Sequence, residues 1–439
     1  MANHSFKIIT LGCKVNQYES ASLRESLMTL GGTEASGNEE ADIIIINTCA
    51  VTRRASYQSR QAIRKAIREN PSARTAAVGC YAQVFPDELS SIEGVQLVAG
   101  NTEKGQLPAI LLKEKNPGQP VVLSKIFGPD PCFDFLPVKG FLDRTRAFLK
   151  IQDGCRTFCS YCIVPFARGP LRSLDASQVV STLSSLSKEG YREVVLTGIN
   201  LGKYGVDLAG GMNLKGLLRL IGGEGFPLRV RLSSIEPNEI DRELIEIVAS
   251  KEWICPHFHI PLQSGDDAIL ERMSRAYRGK DFSSLIGHIH KTMPLAAIGV
   301  DVMAGFPGED HRAFQNTHAL ILDLPVSYLH VFPFSPRRGT PAADFREQVD
   351  QKVIKERAAK LRNLGQDKRK AFYSACLGES FTVLIEGWQS EKKKIMKGLS
   401  DNYLPVSVPS PKLIKNRFVL VRIKGLGDNG VIGEEYLTG

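Results

Sequence analysis

The sequence predicts an α/β protein: a doubly wound parallel α/β unit, then six βα repeats forming a partial barrel, then a small all-β barrel. Three observations carry this. Short apolar runs alternate with helical patterns over the first 125 or so residues, the alternation restarts near Arg146, and beyond about residue 375 only short strand patterns and turns remain. At 439 residues the chain also exceeds the roughly 250–300 at which a single core stops growing. The expected boundaries are 1–126, 140–374 and 375–439.

In the first unit, Phe6–Thr10, Ala41–Ile46, Arg74–Val78 and Val95–Val98 read as buried strands, with helices near 16–30, 53–70 and 84–91. A Pro-, Gly- and Asp-rich linker runs through about Gly128–Pro137. The barrel strands are expected at Phe148–Gln152, Glu193–Thr197, Arg229–Ser233, Phe258–Pro261, Gly299–Met303 and Leu329–Phe332, each followed by a polar or Gly-rich loop. Chemistry belongs on those loops, because ligands of parallel α/β folds bind at the carboxyl ends of strands. A basic helix near 350–373 precedes the last unit, whose strands are expected at Ser380–Ile385, Tyr403–Val408 and Arg417–Ile423, with a turn at Gly425–Gly430.

Composition, with 43% hydrophobic and 23% charged residues, is that of an ordinary globular chain. No stretch approaches the roughly 18 consecutive apolar residues of a membrane helix, and the N-terminus has no basic region ahead of an apolar run. The reading is therefore cytoplasmic, without membrane partners. In a reducing compartment nine cysteines are ligands or buried thiols rather than disulfides. Of the net charge of +9, much lies at the end of the chain, with 17 Lys and Arg against 10 Asp and Glu from Asp350 onward. A basic tail suits a polyanionic partner such as nucleic acid, although a solvated surface explains it equally.

Two sets of cysteines stand out. Cys155, Cys159 and Cys162 lie in the loop after the first barrel strand. Three thiolates so closely spaced can wrap a 4Fe–4S cubane and leave its fourth iron open. That iron can chelate the amino and carboxylate groups of S-adenosylmethionine and pass an electron to its sulfonium, releasing a deoxyadenosyl radical. A structural zinc wants a fourth protein ligand, and no His or further Cys lies between 140 and 175. The spacing resembles the radical S-adenosylmethionine superfamily over roughly 146–345. Cys13, Cys49 and Cys80 each follow one of the first three strands, in Leu11-Gly12-Cys13, Asn47-Thr48-Cys49 and Gly79-Cys80-Tyr81. By spacing alone, either a second metal site or three buried thiols fits. Cys132, Cys255 and Cys376 share no such pattern and read as core or surface thiols.

The segments running from Thr10 to Ser20, Asn47 to Thr52 and Gly79 to Gln83 resemble the methylthiotransferases. That resemblance implies a second 4Fe–4S cluster on Cys13, Cys49 and Cys80 and a C-terminal TRAM barrel for RNA. The wording of those segments, together with Phe158–Pro170 and Leu329–Arg337, is similar to the branch acting on threonylcarbamoyladenosine. It implies methylthiolation at C2 of that base beside the tRNA anticodon, with S-adenosylmethionine as both radical source and methyl donor and a reducing protein as electron donor. The alternatives are methylthiolation of isopentenyladenosine in tRNA or of a ribosomal-protein aspartate, and a non-enzymatic RNA-binding protein with structural metals. The helix near 350–373, Lys392–Lys394 and the last barrel are the expected phosphate grip.

Gly198 and Asn200, Ser234 and Glu236, and Gln263, after the second, third and fourth barrel strands, are candidates for binding S-adenosylmethionine, each with turn formation as the plain alternative. Gly305-Phe306-Pro307-Gly308-Glu309 resembles an adenine-contacting strand end and equally suits a tight turn. His257 and His259 share one face of a strand and read as packed, hydrogen-bonded side chains in preference to metal ligands.

Overall fold

The computed structural model describes residues 4–37, 39–113, 119–128, 132–135, 137–141 and 144–435. Part of the expected linker, 129–131 and 136, lies outside them. Six parallel strands form the first sheet: β1 (Ser5–Thr10), β2 (Thr33–Glu34), β3 (Ile43–Thr48), β4 (Arg74–Gly79), β5 (Val95–Ala99) and β6 (Val121–Leu123), in the order β2-β1-β3-β4-β5-β6. β3 and β4 are buried throughout, as central strands covered on both faces must be. The two edge strands escaped the sequence reading because two or three residues carry no periodicity. The helix expected over 84–91 is two, Cys80–Val84 and Pro86–Ser90, since Pro86 cannot continue a helix and sits at the start of the next.

The second unit opens with β7 (Arg146–Lys150), then the short antiparallel pair β8 (Gln152–Asp153) and β9 (Arg172–Ser173) that closes the cysteine loop. β10 (Glu193–Thr197) and β11 (Arg229–Leu232) pair with β7 in the order β11-β10-β7. β12 (His257–Gln263), β13 (Ala297–Ala304) and β14 (Tyr328–Pro333) form a second parallel set. Bridges from Val230 to Ile254 and Ser234 to His259 join the sets into one curved six-stranded half barrel. Leu149, Val194, Leu196, Val230, Val300 and Val302, all nearly inaccessible, form its core. Tyr18 and Ala21 of the helix Lys14–Thr29 are buried in that same core, while Ile163 and Ala167 are buried in the core of the first sheet. The two units thus interpenetrate at the face that carries both sets of cysteines.

A 25-residue helix, Gln351–Ala375, leads to a closed barrel of β15 (Ser380–Ser390), β16 (Ile395–Ser400), β17 (Pro405–Pro409), β18 (Phe418–Gly427) and β19 (Gly430–Glu435). Alternate residues such as Val383, Ile385, Val406, Val408, Val421 and Ile423 fill it. β16 was missed because Ile395–Ser400 does not alternate. At Gly398 a Cβ would meet Val383 Cγ1 at 2.5 Å. Part of the helix's basic charge is structural: Arg357 is bonded to Glu309 at 2.7 Å and Lys368 Nζ to the carbonyl of Leu324 at 2.7 Å.

The small barrel is clamped to the half barrel by a buried ion cluster. Glu193 accepts from Arg229 Nε at 2.7 Å and Arg231 Nε at 2.8 Å, and the same guanidiniums donate to carbonyls of Thr382, Leu399, Ser400 and Asp401 at 2.7–3.0 Å. Burial opposes ionisation of Glu193, but Arg231 and Arg229 outweigh it and lower its pKa to about 2. A depressed carboxylate stabilises the fold above its unfolded pKa of about 4.3 and loses that contribution as pH falls toward its folded value. Glu193→Gln strands two buried guanidiniums and is expected to cost about 3–5 kcal/mol. Urea titration checks this at pH 7, and the gap from wild type should narrow on acidification from pH 5 toward pH 2.

Candidate active site

Cys13 caps the helix Lys14–Thr29 immediately after β1, Cys49 follows β3, and Cys80 starts the helix after β4. The structure brings these three strand ends together. Gly12 has φ +101°, and a Cβ there would lie 2.9 Å from Cys49 Cβ and 3.1 Å from its Sγ. Gly79 has φ +93°, and a Cβ would strike Asn47 Oδ1 at 2.4 Å. Only glycine lets the three loops approach so closely. Two buried asparagines stitch them: Asn16 Nδ2 donates to the carbonyls of Leu11 (2.7 Å) and Thr48 (3.1 Å), and Asn47 Nδ2 to Asn16 O (3.1 Å) and Ser20 Oγ (3.0 Å). Cys49 and Cys80 are buried and Cys13 is exposed. Burial and the neighbouring Cys80 push the Cys49 thiol up to about 12, so this sulfur would ionise on binding metal rather than before it.

Arg168, 1% exposed, reaches this group from the barrel side. Its Nε donates to Cys80 Sγ at 3.1 Å, Nη1 to Glu19 at 2.5 Å and Asp153 at 3.4 Å, and Nη2 to Asn16 Oδ1 at 2.6 Å. Lys150 bonds the same two carboxylates at 3.0 and 3.1 Å. Burial would neutralise Glu19 and Asp153, yet these cations hold both well below the usual carboxylate range.

Cys155, Cys159 and Cys162 lie on the loop after β8. Cys155 N–H donates to Gly169 O at 3.0 Å and Cys162 N–H to Cys159 O at 2.9 Å. Gly154, φ +76°, tolerates no side chain, since a Cβ would lie 1.7 Å from Pro170 O. Ser160 anchors the loop through Arg272 O at 2.7 Å and Met273 O at 3.1 Å. Arg275 Nη1 donates to Cys159 Sγ at 3.3 Å and its Nη2 pairs with Glu236. Burial and Cys159 push Cys162 up to about 12. An arginine thus serves one sulfur in each set.

The remaining candidates line the barrel's carboxyl end. A Cβ on Gly198 would meet Gln152 at 2.9 Å, and Asn200 N–H donates to Gln152 Oε1 at 2.7 Å. Asn200 Oδ1 and Ser233 Oγ are buried without a hydrogen-bond partner, as groups awaiting a polar ligand are. Ser234 bridges to His259. Gln263, φ +62°, sits at an irregularity that ends β12. Gly305–Glu309 is a tight turn: Glu309 Oε1 accepts from Gly305 N–H at 2.9 Å, and Phe306 packs edge-on to Tyr161 behind the cysteine loop. Beside Cys155 opens a cleft of about 860 Å³ lined by Phe158, Phe166, Phe127, Arg156 and Arg338. Arg168 falls within the motif Phe158–Pro170 but carries no role legible from the sequence, and neither does Arg275 or Gln152. The signal available was an arginine one turn beyond the cysteines. Its partners in the first unit, Cys80, Glu19 and Asn16, lie 88 or more residues away.

Neither cysteine set is drawn tight enough for a single tetrahedral ion. A tetrahedral zinc with Zn–S of about 2.3 Å holds its sulfurs about 3.8 Å apart. Among the described residues, the only His, Cys, Asp or Glu donors all within 4.8 Å of one another are those of His259, Asp301 and His330. Both cysteine sets are therefore spread more widely than one ion requires.

A half barrel with a three-cysteine loop after its first strand, docked against a parallel sheet whose strand ends carry three more cysteines, defines a radical S-adenosylmethionine enzyme with an added cysteine domain. Family models agree: residues 149–321 match the radical SAM superfamily and residues 5–100 the uncharacterized protein family UPF0004. The threonylcarbamoyladenosine tRNA methylthiotransferase MtaB of Aquifex aeolicus is 40% identical over 90% of this chain and 95% of its own, and that of Bacillus subtilis 37% over 95% and 93%. The tRNA-2-methylthio-N(6)-dimethylallyladenosine synthase of Dictyoglomus thermophilum is 33% identical over 95% of each chain. Among solved structures, the radical S-adenosylmethionine methyltransferase TsrM of Kitasatospora setae shares the fold, with a TM-score of 0.58 at 16% identity over 78% of this chain and 77% of that one. The chain belongs to the radical S-adenosylmethionine methylthiotransferase family, in its MtaB-like group. Membership implies S-adenosylmethionine and a 4Fe–4S cluster.

Replacing Arg168 by Leu leaves Glu19 and Asp153 with fewer cations in a buried site and is expected to lower stability by about 3 kcal/mol. Guanidinium unfolding of the full chain checks the value, and Arg168→Lys should recover part of the loss.

Proposed function

We propose that the protein adds a methylthio group to C2 of N6-threonylcarbamoyladenosine at position 37 of tRNA, using S-adenosylmethionine as radical source and methyl donor. The observation that supports it most is the pairing of two three-cysteine sets at facing strand ends. In this reading Cys155, Cys159 and Cys162 hold one 4Fe–4S cluster and Cys13, Cys49 and Cys80 a second. The first cluster, with S-adenosylmethionine, supplies a deoxyadenosyl radical able to take hydrogen from a carbon too weakly acidic to deprotonate; the second supplies the sulfur.

The chain's own residues do the rest. Arg275 and Arg168 donate hydrogen bonds to a sulfur of each set and offset the negative charge of thiolate-bound clusters. Gly198, Asn200, Ser234, Glu236 and Gln263, with the unpartnered Asn200 Oδ1 and Ser233 Oγ, bind the polar ends of S-adenosylmethionine. Glu236, tied to Arg275, is oriented for an amino or ribose group. The target base must leave its stack to reach a site inside the barrel, and unstacked bases are what proteins read in RNA. The exposed Phe158 and Phe166 rings, 6.0 Å apart, offer stacking surfaces at the mouth. Lys392–Lys394, the exposed cations of Gln351–Ala375, and Arg53, Arg54 and Arg338 near that mouth form the phosphate grip. An anticodon stem-loop spanning these groups, a reducing protein as electron donor and a cytoplasmic location complete the reading.

Mass spectrometry of tRNA nucleosides from a deletion strain should show loss of 2-methylthio-threonylcarbamoyladenosine with its unmethylthiolated precursor retained; unchanged nucleosides sink the reading. Anaerobic reconstitution should give about eight irons per chain. Cys13→Ala should still form deoxyadenosine from S-adenosylmethionine under dithionite while losing methylthiolation, and loss of both activities in a folded variant contradicts the division of labour.

A further inference from the structure

The interior face of β13 and β14 carries a polar constellation the proposed chemistry does not use. Alternation along the strands fixes which side chains point inward. Val300 and Val302, both fully buried, pack in the core between the strands and the helices around them, and Val331 packs against it. Asp301, His330 and Phe332 therefore lie on the opposite face. Strand register places Asp301 beside His330 and Met303 beside Phe332.

Asp301 Oδ1 accepts from His259 Nε2 at 2.8 Å and from His330 Nδ1 at 3.3 Å. Tyr328 OH sits 3.2 Å from His259 Nδ1 and 2.8 Å from His257 Nε2, and Tyr403 of the small barrel stacks on His257 at 4.3 Å. The inner end of this run of side chains is closed, with His257 buried and its Nδ1 left without a hydrogen-bond partner. The outer end is open: the His330 side chain is 52% exposed, and Phe332, 6.5 Å from it edge-on, is 41% exposed. With Nδ1 committed to Asp301, the opposite nitrogen of His330 has no hydrogen-bond partner among the described residues. The site also borders the radical machinery, because the Asp301 charge acts on Glu236, which pairs with the Arg275 that donates to Cys159. The three donor atoms are close enough for a mononuclear metal, but hydrogen bonds already account for the Asp301 oxygen and both ring nitrogens that meet it.

We propose that His330, held by Asp301 and flanked by Phe332, is the subsite for the polar substituent of the base: Nε2 accepts a hydrogen bond from the hydroxyl or a ureido N–H of the threonylcarbamoyl group while Phe332 lies against the base. This deepens the function proposed above and rests on it. A site built around a hydrogen bond selects strongly against an analogue that cannot make it, which an isopentenyl group cannot. His330 is thus a specificity-determining residue, and Asp301 positions it.

The test uses reconstituted full-length enzyme and anticodon stem-loop RNAs carrying threonylcarbamoyladenosine or isopentenyladenosine. His330→Leu is expected to lower kcat/KM on the threonylcarbamoyl RNA about 10- to 100-fold, the range for leaving a polar partner without its hydrogen bond, chiefly through KM. The ratio between the two RNAs should collapse, deoxyadenosine formation without RNA should be unchanged, and His330→Gln should recover part of the loss. Wild-type preference for isopentenyl RNA overturns the function proposed above. Wild-type preference for threonylcarbamoyl RNA that survives His330→Leu overturns the subsite alone, as does a stoichiometric divalent metal, beyond the cluster iron, that disappears with the same substitution.

Discussion

One guanidinium, buried from water, ties the two halves of the site together. Arg168 belongs to the loop carrying Cys155–Cys162, yet its partners are Cys80, Asn16 and Glu19 of the first unit and Asp153 of its own. A buried cation needs fixed counter-charges, so these contacts admit one relative placement of the two cysteine sets. Displacing either unit breaks the bonds of Arg168 to Cys80, Asn16 and Glu19 and leaves it only Asp153 at 3.4 Å. Chemistry that passes sulfur from one set of ligands to a carbon attacked near the other needs that fixed separation, since misplacement by an ångström is costly in rate.

The same principle recurs at the far end of the half barrel. Glu193 with Arg229 and Arg231 welds the small barrel to strand ends opposite the site, and Tyr403 closes the interior by stacking on His257. The interior is therefore sealed at one end and open at the cysteine end. Toward the open end, Asn200 Oδ1 and Ser233 Oγ are buried without partners and the His330 side chain is half exposed. Charge on the outer surface has a separate task. The long helix spends Arg357 and Lys368 on packing and leaves its other cations to solvent, so its net charge overstates its reach toward an anionic partner.

Much of this was legible in the chain. The six barrel strands, the four long strands of the first sheet and the loop cysteines follow from apolar periodicity and turn residues, which are local. Gly12, Gly79 and Gly154 were visible as glycines beside cysteines, but the reason for them, a backbone contact from another loop, was not. Short edge strands and β16 lacked a periodic signal. Arg275 and Gln152 act through partners far away in sequence, Cys159 and Glu236 for one and Asn200 for the other, and no pattern along the chain points to them.

The sequence by itself determined the order of the three architectures and the two cysteine sets, because hydrophobic period and ligand spacing are properties of neighbouring residues. Tertiary structure alone decided that Cys13, Cys49 and Cys80 converge, that Arg168 donates to a sulfur of one set and Arg275 to a sulfur of the other, and that His259, Asp301 and His330 meet inside the barrel. Those are contacts between strands, fixed by register and by buried charges that tolerate no unpaired neighbour.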